Sequence, residues 1–427
     1  MKPRAIFVGL DRELLAYVLL IACCGVINLF SAAQVARPGA QYLQVGYFAV
    51  GFTIAVGIAA LDLRWFERLA YPAYVGVCGL LALVLVAGAT IKGSQRWLNL
   101  GFFNLQPSEL MKLAIIFSLA RYLSRREEQG AMGLLDLLRP LNPSRPLVLL
   151  AVLIAKFGVL QIPGSTGLTW LVRVAALLIA LAWLALSVYR MQSLGFAAKT
   201  FVAPVDLIVA PAVLILVEPD LGTTLILLAI AGTMVLYVGV RVWSLVVIAI
   251  FGAVGGVVAW FKVLKPYQQQ RILTFLNPEA DALGAGYHAN QSMIAIGSGG
   301  LQGKGPMKGT QTQLSFLPEN HTDFAFSVLA EEWGLAGAVL LIIFFALLII
   351  KGVRVAANAH DRFAALCAVG VGALVFWHVF VNIGMVTGML PVVGVTLPLV
   401  SYGGSSVLTI MFGIGIWLSV SKKRAMF

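Results

Sequence analysis

Apolar residues run along this chain in long unbroken stretches, separated by short polar turns and by a few longer polar intervals. Crossing about 30 Å of hydrocarbon takes about 20 residues of helix. By that measure the pattern predicts spans at about 13–33, 42–61, 70–90, 108–124, 146–162, 168–188, 204–219, 221–240, 243–263, 323–350, 363–388 and 404–421. The fourth is short, and the seventh, shorter still, contains Pro211. The expected fold is an all-α polytopic membrane protein, one transmembrane domain over residues 1–427 with about 12 crossing helices. The longer outer polar intervals are 91–107 and 264–322, with the charged stretch 121–145 a cytoplasmic connector. The second is rich in Gly, Gln and Asn, yet 272–276 and 293–296 are apolar, so it should pack back on the membrane rather than hang free.

Composition agrees with lipid as the main solvent. The 427 residues are 60% hydrophobic and 11% charged, with a mean hydropathy of +0.94, whereas a soluble domain carries about 25% charged residues. Met1, Lys2, Arg4 and Arg12 precede the first run as in a signal peptide. That run is longer than such a segment needs and another follows at once, so a retained helix is expected. With the N-terminus in the cytoplasm, most of the 30 Lys and Arg fall on cytoplasmic segments, including the tail Lys422, Lys423 and Arg424. The positive-inside rule then asks for an even number of crossings and both termini inside. The net charge of +12 is accounted for by topology and anionic lipid, with no call for nucleic acid. Lys112, Lys156 and Arg173 fall inside spans, the last two placed to snorkel or to meet lipid phosphate. Cys23, Cys24, Cys78 and Cys367 all lie in apolar runs, without metal spacing, and read as packing residues.

Half of the 18 carboxylates fall in outer segments or outer halves of spans: Glu109, Glu218, Asp220, Glu279, Asp281, Glu319, Asp323, Glu331 and Glu332. Acids near hydrocarbon are costly, so each should be paired, water-facing or functional. Gln106-Pro107-Ser108-Glu109-Leu110-Met111-Lys112 opens the fourth span with a helix-start signal. Glu109 and Lys112, three apart, share a helical face. They are either an internal ion pair or the polar floor of a site for an anionic head group. Glu218-Pro219-Asp220 reads as a tight turn with a capping acid. The Pro/Gly-broken stretch 396–406, TLPLVSYGGSS, is tolerated at membrane depth only where protein or a water-filled cavity surrounds it. Asp281 precedes a Gly-Ala-Gly turn in the large loop and is either a solvated acid or one brought close to substrate. The glycines at 297–305 lack Walker A spacing. Glu319, His321 and Asp323 read as helix capping or as metal ligands, and His378 as an interhelical hydrogen bond.

Five stretches, KGSQRWLNLGFFNLQPSELMKL, EPDLGTT, NPEADALGAGYHANQSMIAIGSGGLQGKG, GTQTQLSFLPENHTDF and PLVSYGGSS, resemble in order the motifs of the SEDS family of bacterial shape, elongation, division and sporulation proteins. With their spans they cover most of the chain outside about 130–203. The third and fourth are more similar to the RodA, cell-elongation branch than to the FtsW, division branch. The resemblance implies a peptidoglycan glycosyltransferase polymerising lipid II. It puts the family's catalytic aspartate on Asp281 and places Glu109 and Lys112 in a central cavity. It further implies a class B penicillin-binding transpeptidase and other elongation-complex membrane proteins as partners, in the bacterial inner membrane, with the active site outside the cytoplasm. Two departures stand out. Glu218 replaces the Gln usual before Pro-Asp-Leu-Gly-Thr, and about 146–200 reads as a helical hairpin inserted into a ten-helix core.

The chemistry this implies needs a base for the acceptor hydroxyl and positive charge for the diphosphate. Asp281 is the expected base. Arg96, Lys112, Arg271 and Lys304 are candidate substrate cations, and a divalent cation, Mg²⁺ or Mn²⁺, could assist. A lipid II flippase would use the same polar cavity and broken helices, and a scaffold that only recruits partners is the third reading.

Overall fold

In the computed structural model the described residues are 10–34, 37–91, 94–99, 104–125, 132–133, 204–262, 266–276, 285–314, 316–317 and 319–424. They form helices joined by short connections and one small sheet. The predicted hairpin at 146–200 and Asp281 both lie outside them. The chain falls into two compact units, Arg64–Ile248 and Met1–Leu63 with Ala249–Phe427.

In the unit Arg64–Ile248, α3 (Leu63–Ala87) leads into a three-stranded antiparallel sheet, β1 (Ala89–Ile91), β2 (Ser94–Asn99) and β3 (Asn104–Leu105). Ala89 pairs with Trp97, and Leu98 with Leu105. Then come α4 (Pro107–Ser124), α5 (Pro204–Val217), α6 (Leu221–Val238) and the start of α7 (Val242–Lys262). Gln106 stands before α4 with extended backbone, and Pro107 occupies its first turn, where a missing N–H costs nothing. Nearly every α4 side chain is buried, as expected of a helix walled in on all sides. It packs on α5 and α6.

The other unit opens with α1 (Arg12–Ala32), capped by the Asp11 carboxylate, and α2 (Ala40–Ala60). After the end of α7 come α8 (Pro266–Leu276), α9 (Ala285–Gly299) and the single turn α10 (Thr310–Gln313), all within the predicted outer loop. The helices α11 (Ala325–Ala357), α12 (Arg362–Val386) and α13 (Gly404–Arg424) complete it. Here α13 packs on α2, and α11 packs on α1, α9 and α12. At Gly25 of α1 a β-carbon would collide with the Leu399 carbonyl oxygen, so the missing side chain admits the broken 387–403 segment against the helix. Ser421 near the end of α13 donates to Asp11 at 3.1 Å, so the first and last helices meet at one end of this unit.

Among the described residues seven helices are long and apolar enough to cross a membrane: α1, α2, α3, α6, α11, α12 and α13. The shorter apolar helices α5 and α7 coincide with two more predicted spans. Predicted and observed ends agree closely for most. The exceptions are α3, which starts at Leu63 rather than near 70, and α11, which continues to Ala357 rather than 350. Both extra turns are charged, so hydropathy rejects what backbone hydrogen bonding continues: Glu67 in the first pairs with Arg125 at 3.0 Å.

Outward-facing side chains are apolar to a degree water would not support. Trp243, Ile250, Val254, Val257 and Phe261 of α7 are all exposed, and such patches mark lipid or protein contact.

Candidate functional site

Polar side chains concentrate where helices begin. In the unit Arg64–Ile248, Lys112 Nζ lies 2.7 Å from Glu109 Oε1, with the two residues only 1% and 7% exposed. Their i, i+3 spacing on α4 puts them side by side. Glu109 Oε2, also buried, has no hydrogen-bond partner, leaving an acceptor that a water or ligand proton can satisfy. Beside them the turn before α6 is held from several directions. Asp220 caps α6, accepting from the Thr223 amide at 3.2 Å and hydroxyl at 2.9 Å, and Gln106 Nε2 donates to it at 3.2 Å. Arg96 from β2 sits 3.6 Å from Asp220, donates to the Glu218 carbonyl at 3.2 Å and also to the Pro219 carbonyl. Glu218 itself is buried. The turn and its capping acid were legible in sequence. The clamp from Arg96, over a hundred residues away, was not.

The other unit holds a denser network around α11. Gly334, with φ 63° and ψ −163°, breaks the helix. The segment 300–305 seals the break: Lys304 N and Gly305 N donate to the carbonyls of Glu331 and Glu332 at 3.1 and 2.9 Å. In return Leu335 N and Ala336 N donate to the carbonyls of Gly300 and Leu301 at 2.9 and 3.2 Å. The Glu331 carboxylate, fully buried, accepts from Lys304 Nζ at 2.7 Å, Gln311 N at 3.0 Å and Thr312 Oγ1 at 3.1 Å. Glu332 accepts from the Ser31 hydroxyl of α1. The sequence signal for this pair was only its cost: adjacent acids at the head of an apolar helix.

The Pro/Gly-broken segment is wrapped by protein, as a place at membrane depth would require. Gln44 donates to Ser401 O at 3.1 Å and accepts from Gly403 N at 3.4 Å. Asn382 donates to Asp323 O at 2.9 Å and to Val395 O at 2.6 Å, and His378 Nδ1 lies 3.2 Å from Thr396 O. His378 therefore makes a hydrogen bond to this segment. His321 Nδ1 is 3.3 Å from Asn320 Oδ1, and Tyr402 N donates to His321 O at 2.8 Å.

Arg271 of α8 is exposed, donates to Val392 O at 3.2 Å, and lines a small cavity with Thr274, Phe275, Met293, Leu390 and others. Half-buried His288 on α9 has its pKa lowered below the ordinary 6.5, chiefly by burial and then by Arg271, with Glu319 opposing. Of the candidate cations, Arg96 and Lys304 each hold an internal partner, Lys112 pairs with Glu109, and Arg271 is the one exposed to solvent. Among the described residues no group of three or more His, Cys, Asp or Glu is placed to hold a metal ion.

A multi-pass helical membrane protein with buried ion pairs near its helix starts, and a broken helix sealed by a long loop, is the class these features define. A family model for cell cycle proteins, FtsW/RodA/SpoVE, matches residues 12–192 and 171–426, and this chain belongs to that family. It is 37% identical over 420 residues to the peptidoglycan glycosyltransferase MrdB of Escherichia coli K12, covering 98% of this chain and 95% of the relative. To the stage V sporulation protein E of Bacillus subtilis it is 29% identical, covering 96% and 97%. Among solved structures it is similar to a chain from a study of polymerization and crosslinking by a peptidoglycan synthase complex, with TM-score 0.72, 28% identity and coverage of 99% and 100%. It is also similar to the rod shape determining protein RodA of Thermus thermophilus, with TM-score 0.61, 27% identity and coverage of 98% of each chain.

Proposed function

We propose that this chain polymerises lipid II into glycan strands during cell elongation, with Asp281 as general base. It is a peptidoglycan glycosyltransferase. The observation that carries the reading is the agreement with MrdB along 98% of the chain, which takes in all five motifs. Asp281 takes the proton of the acceptor GlcNAc 4-hydroxyl. That oxygen attacks the donor anomeric carbon as the bond to the diphosphate breaks, with inversion. Diphosphate leaves without strong acid assistance, so one carboxylate suffices where glycosidases use two. Diphosphate charge would be met by Lys112, Arg96, Arg271 or Lys304; Arg96 also holds the turn before α6, and Lys304 the 300–313 loop. Mg²⁺ or Mn²⁺ would bind through substrate phosphates with one or two carboxylates. The described residues supply no ligand set of their own, so no step depends on it.

The working membrane is the bacterial inner membrane, with both termini cytoplasmic and the chemistry on the outer face. The contact between Ser421 and Asp11 supports termini on one side. A class B penicillin-binding transpeptidase is the partner, with other elongation-complex membrane proteins. The likeness to a peptidoglycan synthase complex supports this.

General base work contributes about 10²–10⁴-fold. Purified protein in detergent, given lipid II without any membrane gradient, should therefore yield glycan polymer, and folded Asp281→Asn protein almost none. Normal polymer from that variant rejects the base assignment. Lipid movement across vesicles without polymer from the parent chain would instead select the flippase.

A further inference from the structure

A cavity of about 220 Å³ lies at the end of the unit Met1–Leu63 with Ala249–Phe427 where α1 begins and α11 and α13 end, lined by Asp11, Lys351, Arg354, Val355, Asn358, Val420 and Ser421. It is smaller than the roughly 300–1,000 Å³ of ordinary small-molecule sites, too small for a nucleotide and of a size for a phosphate ester. Its charges are unevenly used. Lys351 is shared by two carboxylates, Asp11 at 3.0 Å and Glu13 at 2.7 Å, and Ser421 donates to Asp11 at 3.1 Å. That triad carries one surplus negative charge. One turn on, the Arg354 guanidinium has no acceptor among the described residues. Arg12 and Lys422 adjoin these residues in sequence but do not line the cavity.

The face leading to it is oily. Leu340, Ile343, Leu347 and Ile350 are all exposed, and their spacing of three and four puts them on one face of α11 with Arg354 at its end. Acyl chains lying along that stripe would deliver a head group to the cavity.

We propose that this cavity binds the head group of an aminophospholipid, phosphoethanolamine on a diacyl chain. Its phosphodiester meets Arg354 and its ammonium meets the carboxylate pair of Asp11 and Glu13, which shares Lys351. Counting Glu13, which holds Lys351 beside the cavity without lining it, two cations meet two anions, so a zwitterion adds no net charge, whereas phosphatidylglycerol would leave the carboxylate uncompensated. A choline head has no N–H to donate to Asp11, which favours the primary amine. The proposal is independent of the glycosyltransferase reading.

The test is native mass spectrometry of the full chain released from nanodiscs containing equal phosphatidylethanolamine, phosphatidylglycerol and phosphatidylcholine. The parent protein should retain one phosphatidylethanolamine at least about fivefold over either competitor, and Arg354→Gln should abolish that preference. Arg354→Lys, which keeps the charge, should hold an intermediate amount, while millimolar inorganic phosphate should not displace the lipid. No retained lipid, equal or greater retention of another head group, unchanged retention in Arg354→Gln, or displacement by free phosphate would each overturn it.

Discussion

Lys112, 1% exposed, would cost several kcal/mol to bury alone. Glu109 at 2.7 Å offsets that cost, so each residue depends on the other. Lys112→Met or Glu109→Gln alone should therefore lower stability by about 3–5 kcal/mol, with the double variant recovering much of the loss. A thermal unfolding cycle in detergent reads the coupling, and additive losses would show that the two act separately. His288 makes a pH prediction. Its folded pKa lies below the ordinary 6.5, mainly through burial and then Arg271, against the opposing Glu319. The unfolded chain therefore takes up the proton first on acidification. The contribution is fully present above pH 6.5 and is lost as pH falls through 6.5 toward the folded value. Unfolding midpoints between pH 7.5 and 5, ~half a unit apart, should fall with acid in the parent and less steeply in His288→Asn. At this scale the i, i+3 pairing of Glu109 and Lys112 was readable because both residues sit on one short helical segment. The Lys304–Glu331 pair was not, because 27 residues separate them and only the folded loop brings them together.

Most elements announced themselves by hydropathy, and the mismatches share a cause. Apolar runs mark where lipid touches a helix, not where its hydrogen bonding stops, so charged turns at the start of α3 and the end of α11 went unread. The sheet β1–β3 was missed because its strands are two to six residues long, too short for alternation to register. Conversely, the broken backbone at 396–406 was legible from Pro and Gly alone, and the surrounding Gln44, Asn382 and His378 side chains show how its polar groups are met. The break in α11 was not anticipated, since an isolated Gly inside a helical pattern is usually tolerated. Gly334 holds a positive φ, and a β-carbon there would also strike the Gly303 amide. Gly334→Ala should cost at least about 1–3 kcal/mol. It should also raise amide exchange through 300–313, which loses its seat on α11. Unchanged exchange in that segment would show that the seal does not depend on the break.

For the molecule as a whole, length and charge sufficed to identify a polytopic membrane protein, because lipid leaves few ways to satisfy a backbone. The count of about 12 crossings extends beyond what the described residues cover, since two of the predicted spans lie in 146–200. Activity was legible only through five motifs in order. Composition would have left Asp281 as one outer acid among nine.

The hydrogen bond from Ser421 to Asp11 has a consequence for the chain as a thread. A bundle whose first and last described helices meet is topologically close to a ring. A short peptide could join them without disturbing the helices between, and the sequence could be reopened at another connection. For this fold, where synthesis starts is then a matter of insertion into the membrane rather than of the architecture reached.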